Sequence, residues 1–440
     1  MKNIIVVNFF ERGLALNSRL FRTVVCLSAL ALLSLTAAQA QDLRYITWVG
    51  GSSKALEDEV VDMFRAQRPE ISIAFDTVGG GVNGVREQVV LSLVAGTDVD
   101  IALTHSDWVG DLIKQGAFLD LRPFMERDGF DIDAFPKGVI DSYTGQDGGI
   151  YALPQQWTTI LLAYNKNYFD RYGIAHPDDT WDIFDMETAA RTLTIDADGD
   201  GAAESHGLFA QSLDEYVWRL WGTSLTNEDV TGSGWHDPRA VDAWQWYGDL
   251  YQSGVTTSGA NQQSGPWVTG SLSMWLGWPH QHVEVARWMT DSWDVAMHPY
   301  GPNGERVARA AGAQWAILST SDNPEQAWEL IKFLASAEAQ YEFLVRGRGG
   351  VHREAMIRYW LDEFDPTTSG ITDSSTLLNR MVMVNAYEYA SLDRLPAGYA
   401  TILTQIIRPM SAKLRNGEAP AASLVPEAAR LIDAHIAGQD

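Results

Sequence analysis

The densest run of potential ligand atoms in the chain is Asp196-Ala-Asp198-Gly-Asp200-Gly-Ala202-Ala-Glu204. Carboxylates at alternating positions, a glycine at the sixth place for a sharp turn and a free main-chain carbonyl at the seventh can together wrap one hard cation. Asp196, Asp198, Asp200, the carbonyl of Ala202 and Glu204 fill the first nine places of such a calcium loop. The twelfth, where a bidentate Glu belongs, is Gly207. The pattern is an incomplete EF-hand with two readings. Either a distant carboxylate or a water completes the shell of a structural calcium, or the run is a solvated acidic turn. Other chemistry is sparse. His280 and His282 flank Gln281, and a lone His-x-His pair is weak evidence for a transition metal without further ligands. Gly79 to Gly84 lacks the Lys-Ser/Thr of a phosphate loop, and no Gly-x-Ser-x-Gly nucleophile elbow is present. No cofactor is required by any motif.

Elements that would position side chains come in a regular order. Arg44 to Val49 is a predicted strand. A helix follows that Ser53 can cap, with Leu56, Val60 and Phe64 on one face, and Ile71, Ile73 and Phe75 then alternate as a half-buried strand does. Val82, Val85, Val89 and Leu93 form a second helical stripe, Asp100 to Leu103 a short strand, and Asp107 to Gln115 a third helix. This β-α-β-α-β-α order favours a mostly parallel sheet, whose ligands lie beyond the carboxyl ends of the strands. The loops at those ends hold Trp48 to Ser53 and Thr104 to Trp108. Further along, Gly149 to Phe184 joins a proline, a tryptophan and an apolar run (Thr158 to Ala163) to Tyr164-Asn165-Lys166 and a helix start at Thr180-Trp181. We expect this stretch to be a hinge crossing between two lobes, with Tyr151 to Gln155 as the crossing itself.

At 440 residues the chain is long enough for two domains. A formal charge of -25 argues against nucleic acid and anionic membranes as partners, although one buried Arg can still receive an anionic ligand. Arg19 and Arg22 precede an apolar run from Val24 to Leu35 and the small-x-small pattern Ala38-Gln39-Ala40. Residues 1–40 are therefore expected to be a signal peptide cleaved before Gln41, which places the product in the periplasm. Cys26, the single cysteine, lies inside that leader and lacks the small preceding residue of a lipid-modified cysteine, so the mature chain has no thiol and depends on packing.

Several motifs resemble the extracellular solute-binding proteins of ABC importers, in particular their carbohydrate-binding group, which includes maltose-binding protein. They are the proline before an apolar run and Tyr164-Asn165-Lys166, Gly270 to Pro279 with Met274 and Gly277-Trp278, and Ala311-Gly312 through Gln340 with Asn323-x-x-x-Ala327-Trp328 and Phe333-Leu334. The resemblance implies an α/β fold of two lobes, each built from discontinuous segments around a mostly parallel sheet flanked by helices. The lobes would be 41–153 with 298–345, and 154–297 with 346–440, closing on a sugar and delivering it to permease subunits in the inner membrane. A monomer without enzymatic activity is expected.

A sugar is held by rings against its C–H faces and by planar polar groups on its hydroxyls. The chain has 17 Trp, all beyond residue 40. Family positions point to Trp48, Asp107, Trp157, Trp278 and Trp315. Trp108 and Trp275 are their neighbours, Gln155 and Gln156 lie beside the hinge proline, and Arg348 sits in a Gly-rich turn. Each Trp has packing as its alternative role, Asp107 has helix capping, and Arg348 has a surface salt bridge. Two other functions fit the same residues: a secreted glycoside hydrolase or lyase, which needs two spaced carboxylates, and the same fold binding a glycerophosphodiester, polyol or polyamine.

Overall fold

Strand β1 (Gln41–Thr47) runs parallel to β2 (Ile71–Thr77), Gln41 opposite Ile71 and Thr47 opposite Thr77, and parallel to β3 (Ile101–His105). The computed structural model of the protein describes residues 41–200, 203–256, 264–285, 288–369, 371, 376–391, 395–396 and 398–438. The expected leader, 1–40, lies outside them. Helices Gly51–Gln67 and Gly81–Ala95 connect the three strands, as the periodicity predicts. The first begins at Gly51, with Gly50 and not Ser53 at its N-cap position.

Two more strands complete the first sheet from further along the chain. β4 (Leu153–Thr159) and β9 (Ala308–Ile317) pair antiparallel, and β9 also pairs antiparallel with β3, Ile101 opposite Ile317. β10 (Ala390–Ser391) adds a short parallel edge on β9. The second sheet has the order β6 (Phe209–Ala210), β7 (Met274–Gly277), β5 (Leu161–Asn165), β8 (Trp293–Ala296), with β5 antiparallel to both neighbours. The α/β class and the helices flanking two sheets agree with expectation; both sheets are mixed, the first with three parallel pairings against two antiparallel and the second mainly antiparallel. β9 returns from the other sheet and meets β3 head to tail, and β5 takes neighbours on both sides from later chain.

β5 is buried along its whole length, and its residues alternate between two cores. Leu161 and Ala163 join the core of the first sheet, whereas Ile160, Leu162 and Tyr164 join a second core with Trp218, Trp235 and Trp244. Three of these second-core indoles touch one another, with Trp218 and Trp235 rings 5.0 Å apart. That cluster absorbs tryptophans that composition alone would assign to a binding surface. The helix at Pro238–Gln252 starts on Asp237, which accepts from the Arg239 amide, and the helix at Pro324–Leu334 starts after Asn323. Among the described residues no helix is long and apolar enough to cross a membrane.

The passage between the sheets lies at Ile160, later than the expected Tyr151 to Gln155, because β4 stays hydrogen-bonded to β9 up to Thr159 opposite Ala310. The Ile160 amide and the Thr159 hydroxyl both donate to the Arg309 carbonyl, at 3.2 Å each. Close approach here depends on Gly312, where a Cβ would lie 2.2 Å from Cε3 of Trp157. Gly312→Ala should therefore force the indole or the strand pair apart and lower unfolding free energy by about 1–3 kcal/mol, measured by chemical denaturation with an unchanged m-value.

Candidate functional site

β4 leaves the first sheet with its side chains divided by the strand alternation. Gln156 and Thr158 are half-buried, whereas Gln155, Trp157 and Thr159 are buried. Gln156 and Thr158 face a cavity of about 910 Å³. Its other walls come from Pro279, His280 and Val283 after β7, from the turn Arg346-Gly347-Arg348-Gly349, and from Tyr359, Trp360, Thr367, Thr368 and Tyr387. The volume suits a small organic ligand. Rings, an amide, hydroxyls and two guanidiniums supply both apolar faces and hydrogen-bonding groups.

Behind this wall lies a buried polar chain. The Trp315 Nε1 donates to the Tyr45 hydroxyl at 2.9 Å, and that hydroxyl donates to Glu57 Oε1 at 2.6 Å. Gln155 Nε2 also donates to Glu57 Oε1, at 3.2 Å. Burial pushes the Glu57 carboxyl above its ordinary value, outweighing the Tyr45 hydrogen bond and the Arg348 charge that favour its ionised form. Gln340 secures the same crossing: its Nε2 donates to the Gln155 carbonyl at 3.1 Å, and its Oε1 accepts from the Val351 amide at 2.8 Å.

A second constellation sits at the β9 end of the crossing. Arg309 pairs with Glu215 at 2.8 Å and approaches Asp107 at 3.8 Å, and its guanidinium lies 5.4 Å from the Trp278 ring centre. Arg408 reaches the other Glu215 oxygen at 3.3 Å. Burial works against the charge on Arg309, yet the Glu215 and Asp107 carboxylates hold its pKa above the usual arginine value. For Asp107 burial is likewise opposed, here by His105 and by Arg309, and the net effect is a lowered pKa. Asp107 comes from the loop after β3 and Glu215 from the half of the chain that carries the second sheet, so Arg309 bridges the two halves.

The expected site residues separate into two groups. Trp48, Asp107, Gln156, Trp278 and Arg348 are partly exposed around the crossing. Trp48 sits edge-on to His105, with ring centres 6.0 Å apart. Asp107 does not cap a helix, because the following helix, Val109–Lys114, starts on Trp108 without a side-chain cap. Trp108, Trp157, Trp275 and Trp315 are corrections, since all four rings are buried in the core that contains the first sheet. Trp157 borders the cavity but is only 1% exposed, its ring lying over Gly312 and edge-on to Tyr143. Trp315 is held inward by Tyr45. Trp275 packs edge-on to His282, with ring centres 4.6 Å apart. Gln155 likewise points to Glu57 and not to the cavity.

His282 is buried against the Trp267 and Trp275 rings, with its pKa lowered to about 3 by burial and the neighbouring His280, whereas His280 is exposed. In the acidic loop the oxygens of Asp196, Asp198 and Glu204 lie within 4.8 Å of one another, all exposed. Asp200 is not in that group, and Ala202 lies outside the described residues. Main-chain amides already occupy these carboxylates: Ala197 donates to Glu204 at 2.6 Å and Gly199 to Asp196 at 2.7 Å.

The residues missed from sequence are Arg309, Glu215, Tyr359, Trp360 and Tyr387. For Arg309 a signal existed, a lone cation in the Ala/Gly-rich strand Ala308–Ile317. The aromatic residues lie where no periodicity points to a cavity.

The family model for bacterial extracellular solute-binding proteins matches residues 50–341. A binding protein of Brucella abortus is 27% identical over 300 residues, covering 65% of this chain and 70% of the relative. The lactose-binding protein of Rhizobium radiobacter is 23% identical over 358 residues, covering 76% and 80%. The sugar-binding protein MalE from Xanthomonas citri shares the fold with a TM-score of 0.74 at 18% identity, covering 91% of this chain and 98% of that one.

Removing the cation from a buried ionic cluster leaves its carboxylates uncompensated. Arg309→Ala is expected to lower stability by about 3–5 kcal/mol. Glu215→Gln combined with Arg309→Met should recover much of that loss in denaturant titrations.

Proposed function

Since the chain belongs to the bacterial extracellular solute-binding proteins, we propose that it captures a carbohydrate at the crossing between two lobes and hands it to the permease of an ABC importer. The observation that carries this reading is the cavity of about 910 Å³, with Tyr359, Trp360 and Tyr387 beside Gln156 and Thr158. Such a wall offers rings for sugar faces and planar or hydroxyl groups for sugar hydroxyls. The lactose-binding relative and the sugar-binding structural neighbour support it.

In this reading the crossing lies at Ile160, with residues 41–159 and 298–345 in the first lobe, β10 at its edge, and residues 161–297 with the helix at Ala421–Ala437 in the second. Trp48, Asp107, Trp278 and Arg309 are further candidate contacts in this reading, and closure is driven by contacts the ligand makes with both lobes only when they meet. The protein acts as a monomer in the periplasm, exported by its first forty residues, and binds without turnover. No cofactor takes part in that step. Incubation with oligosaccharides should release no new reducing ends, whereas a glycoside hydrolase would release them.

A thermal-shift screen across mono-, di- and trisaccharides tests the function, because a ligand that binds only the folded form raises the transition by mass action. Trp278→Ala should weaken the best ligand about tenfold or more with little change in the unliganded melting temperature. Trp157→Ala, by contrast, should cost about 3–5 kcal/mol of stability, since it empties a core site. A screen in which no carbohydrate shifts the transition would remove the reading.

A structural calcium at Asp196, Asp198 and Glu204 is a separate part of the proposal, supported by the closeness of those oxygens. Chelation should lower the melting temperature by a few degrees, and calcium should restore it. An unchanged melting curve, with no metal in elemental analysis, would leave the loop as a turn held by its own amides.

A further inference from the structure

The charges around the cavity are one-sided. The whole chain carries -25, yet among the described lining residues there is no Asp or Glu, and there are two arginines. The arginines differ in what already neutralises them. Arg346 is engaged by Glu59 at 2.9 Å and by Glu342. Arg348 is half-buried in the cavity wall and forms no ion pair among the described residues. The carboxylate whose field reaches it, Glu57, sits 1% exposed behind the wall and is bonded to Tyr45 and Gln155.

Closing water out of such a cavity around a neutral ligand would leave the Arg348 guanidinium desolvated with only hydroxyl oxygens to receive it and no compensating charge, which is costly. A carboxylate or phosphate on the ligand removes that cost and matches the planar donor fork of arginine, often in a two-bond arrangement. We infer that the ligand is an acidic carbohydrate, a sugar bearing a carboxylate or a phosphate, and that Arg348 receives its acidic group while Gln156, Tyr359 and Trp360 hold the sugar. This rests on the carbohydrate reading above and narrows it. Net negative charge elsewhere on the chain does not oppose it, because the local field within the cavity is set by the nearest guanidiniums.

Calorimetry on the full mature protein tests the assignment with matched pairs that differ only in the acidic group. The pairs are galactose and galacturonate, a neutral disaccharide and its uronate counterpart, and glucose and glucose 6-phosphate, with glycerophosphocholine as a non-sugar phosphodiester. The acidic member of at least one pair should bind tenfold or more tightly than its neutral partner. Arg348→Gln should erase most of that ratio, and Arg348→Lys should keep part of it, with the melting temperature of each variant recorded as a fold control.

Equal or tighter binding of the neutral members overturns the inference and leaves carbohydrate capture standing. An acidic preference that survives in Arg348→Gln overturns the role of Arg348, as does a Gln variant that loses only stability while keeping the ratio. Binding of glycerophosphocholine alone, with no sugar of either kind, overturns the acidic-sugar assignment together with the carbohydrate reading. If nothing binds, both fall.

Discussion

Trp157 lies over the backbone of Gly312, and no other residue at position 312 leaves room for the indole. That one contact allows β4 and β9 to run side by side where the chain passes from the first sheet to the second. Everything of functional interest hangs from the paired strands. Toward one end of β9, Trp315 reaches Tyr45 and so connects to Glu57 beneath helix Gly51–Gln67. Toward the other, Arg309 meets Glu215 and Asp107. A strand of Ala and Gly with one cation is suited to this position, because small residues let a neighbouring strand and an aromatic ring approach closely.

An acidic chain has gathered several of its arginines at this crossing, each in a different electrostatic setting. Arg309 is compensated from both halves of the molecule, Arg346 from two glutamates, and Arg348 only through the field of a carboxylate buried behind it. Buried charges are tolerated when paired and hydrogen-bonded, so the first two stabilise the scaffold. The third has its partner position open to the cavity. A ligand can shift a two-lobed equilibrium only by interacting differently with its two states.

How far the sequence could be followed depended on the range of the interaction that decided each feature. The first three β-α units were legible because apolar spacing at 3–4 and at 2 is a local property. The helix start after Asn323 was legible for the same reason, while the expected start at Ser53 gave way to a helix that begins two residues earlier on glycines. Strand direction in the second sheet was not legible, since β5 is paired by segments more than a hundred residues later. The tryptophans show the limit most sharply. Alternation says that Gln156 and Trp157 point to opposite sides, but the burial of the Trp157 ring over Gly312 is set by another strand.

The sequence by itself determined an α/β order of elements over residues 44–115, a leader-like start, a proline-marked stretch rich in aromatic and polar groups, and a motif order that resembles the family. Those follow from composition, periodicity and motif order, each carried by near neighbours in the chain. Only the tertiary structure decided that Trp108, Trp157, Trp275 and Trp315 are buried, that Arg309 joins Asp107 to Glu215, and that Arg348 stands in a cavity wall lacking acidic residues among those described. The physical reason is the same throughout. Burial and charge compensation are sums over groups brought together from distant positions, and chain spacing does not record them.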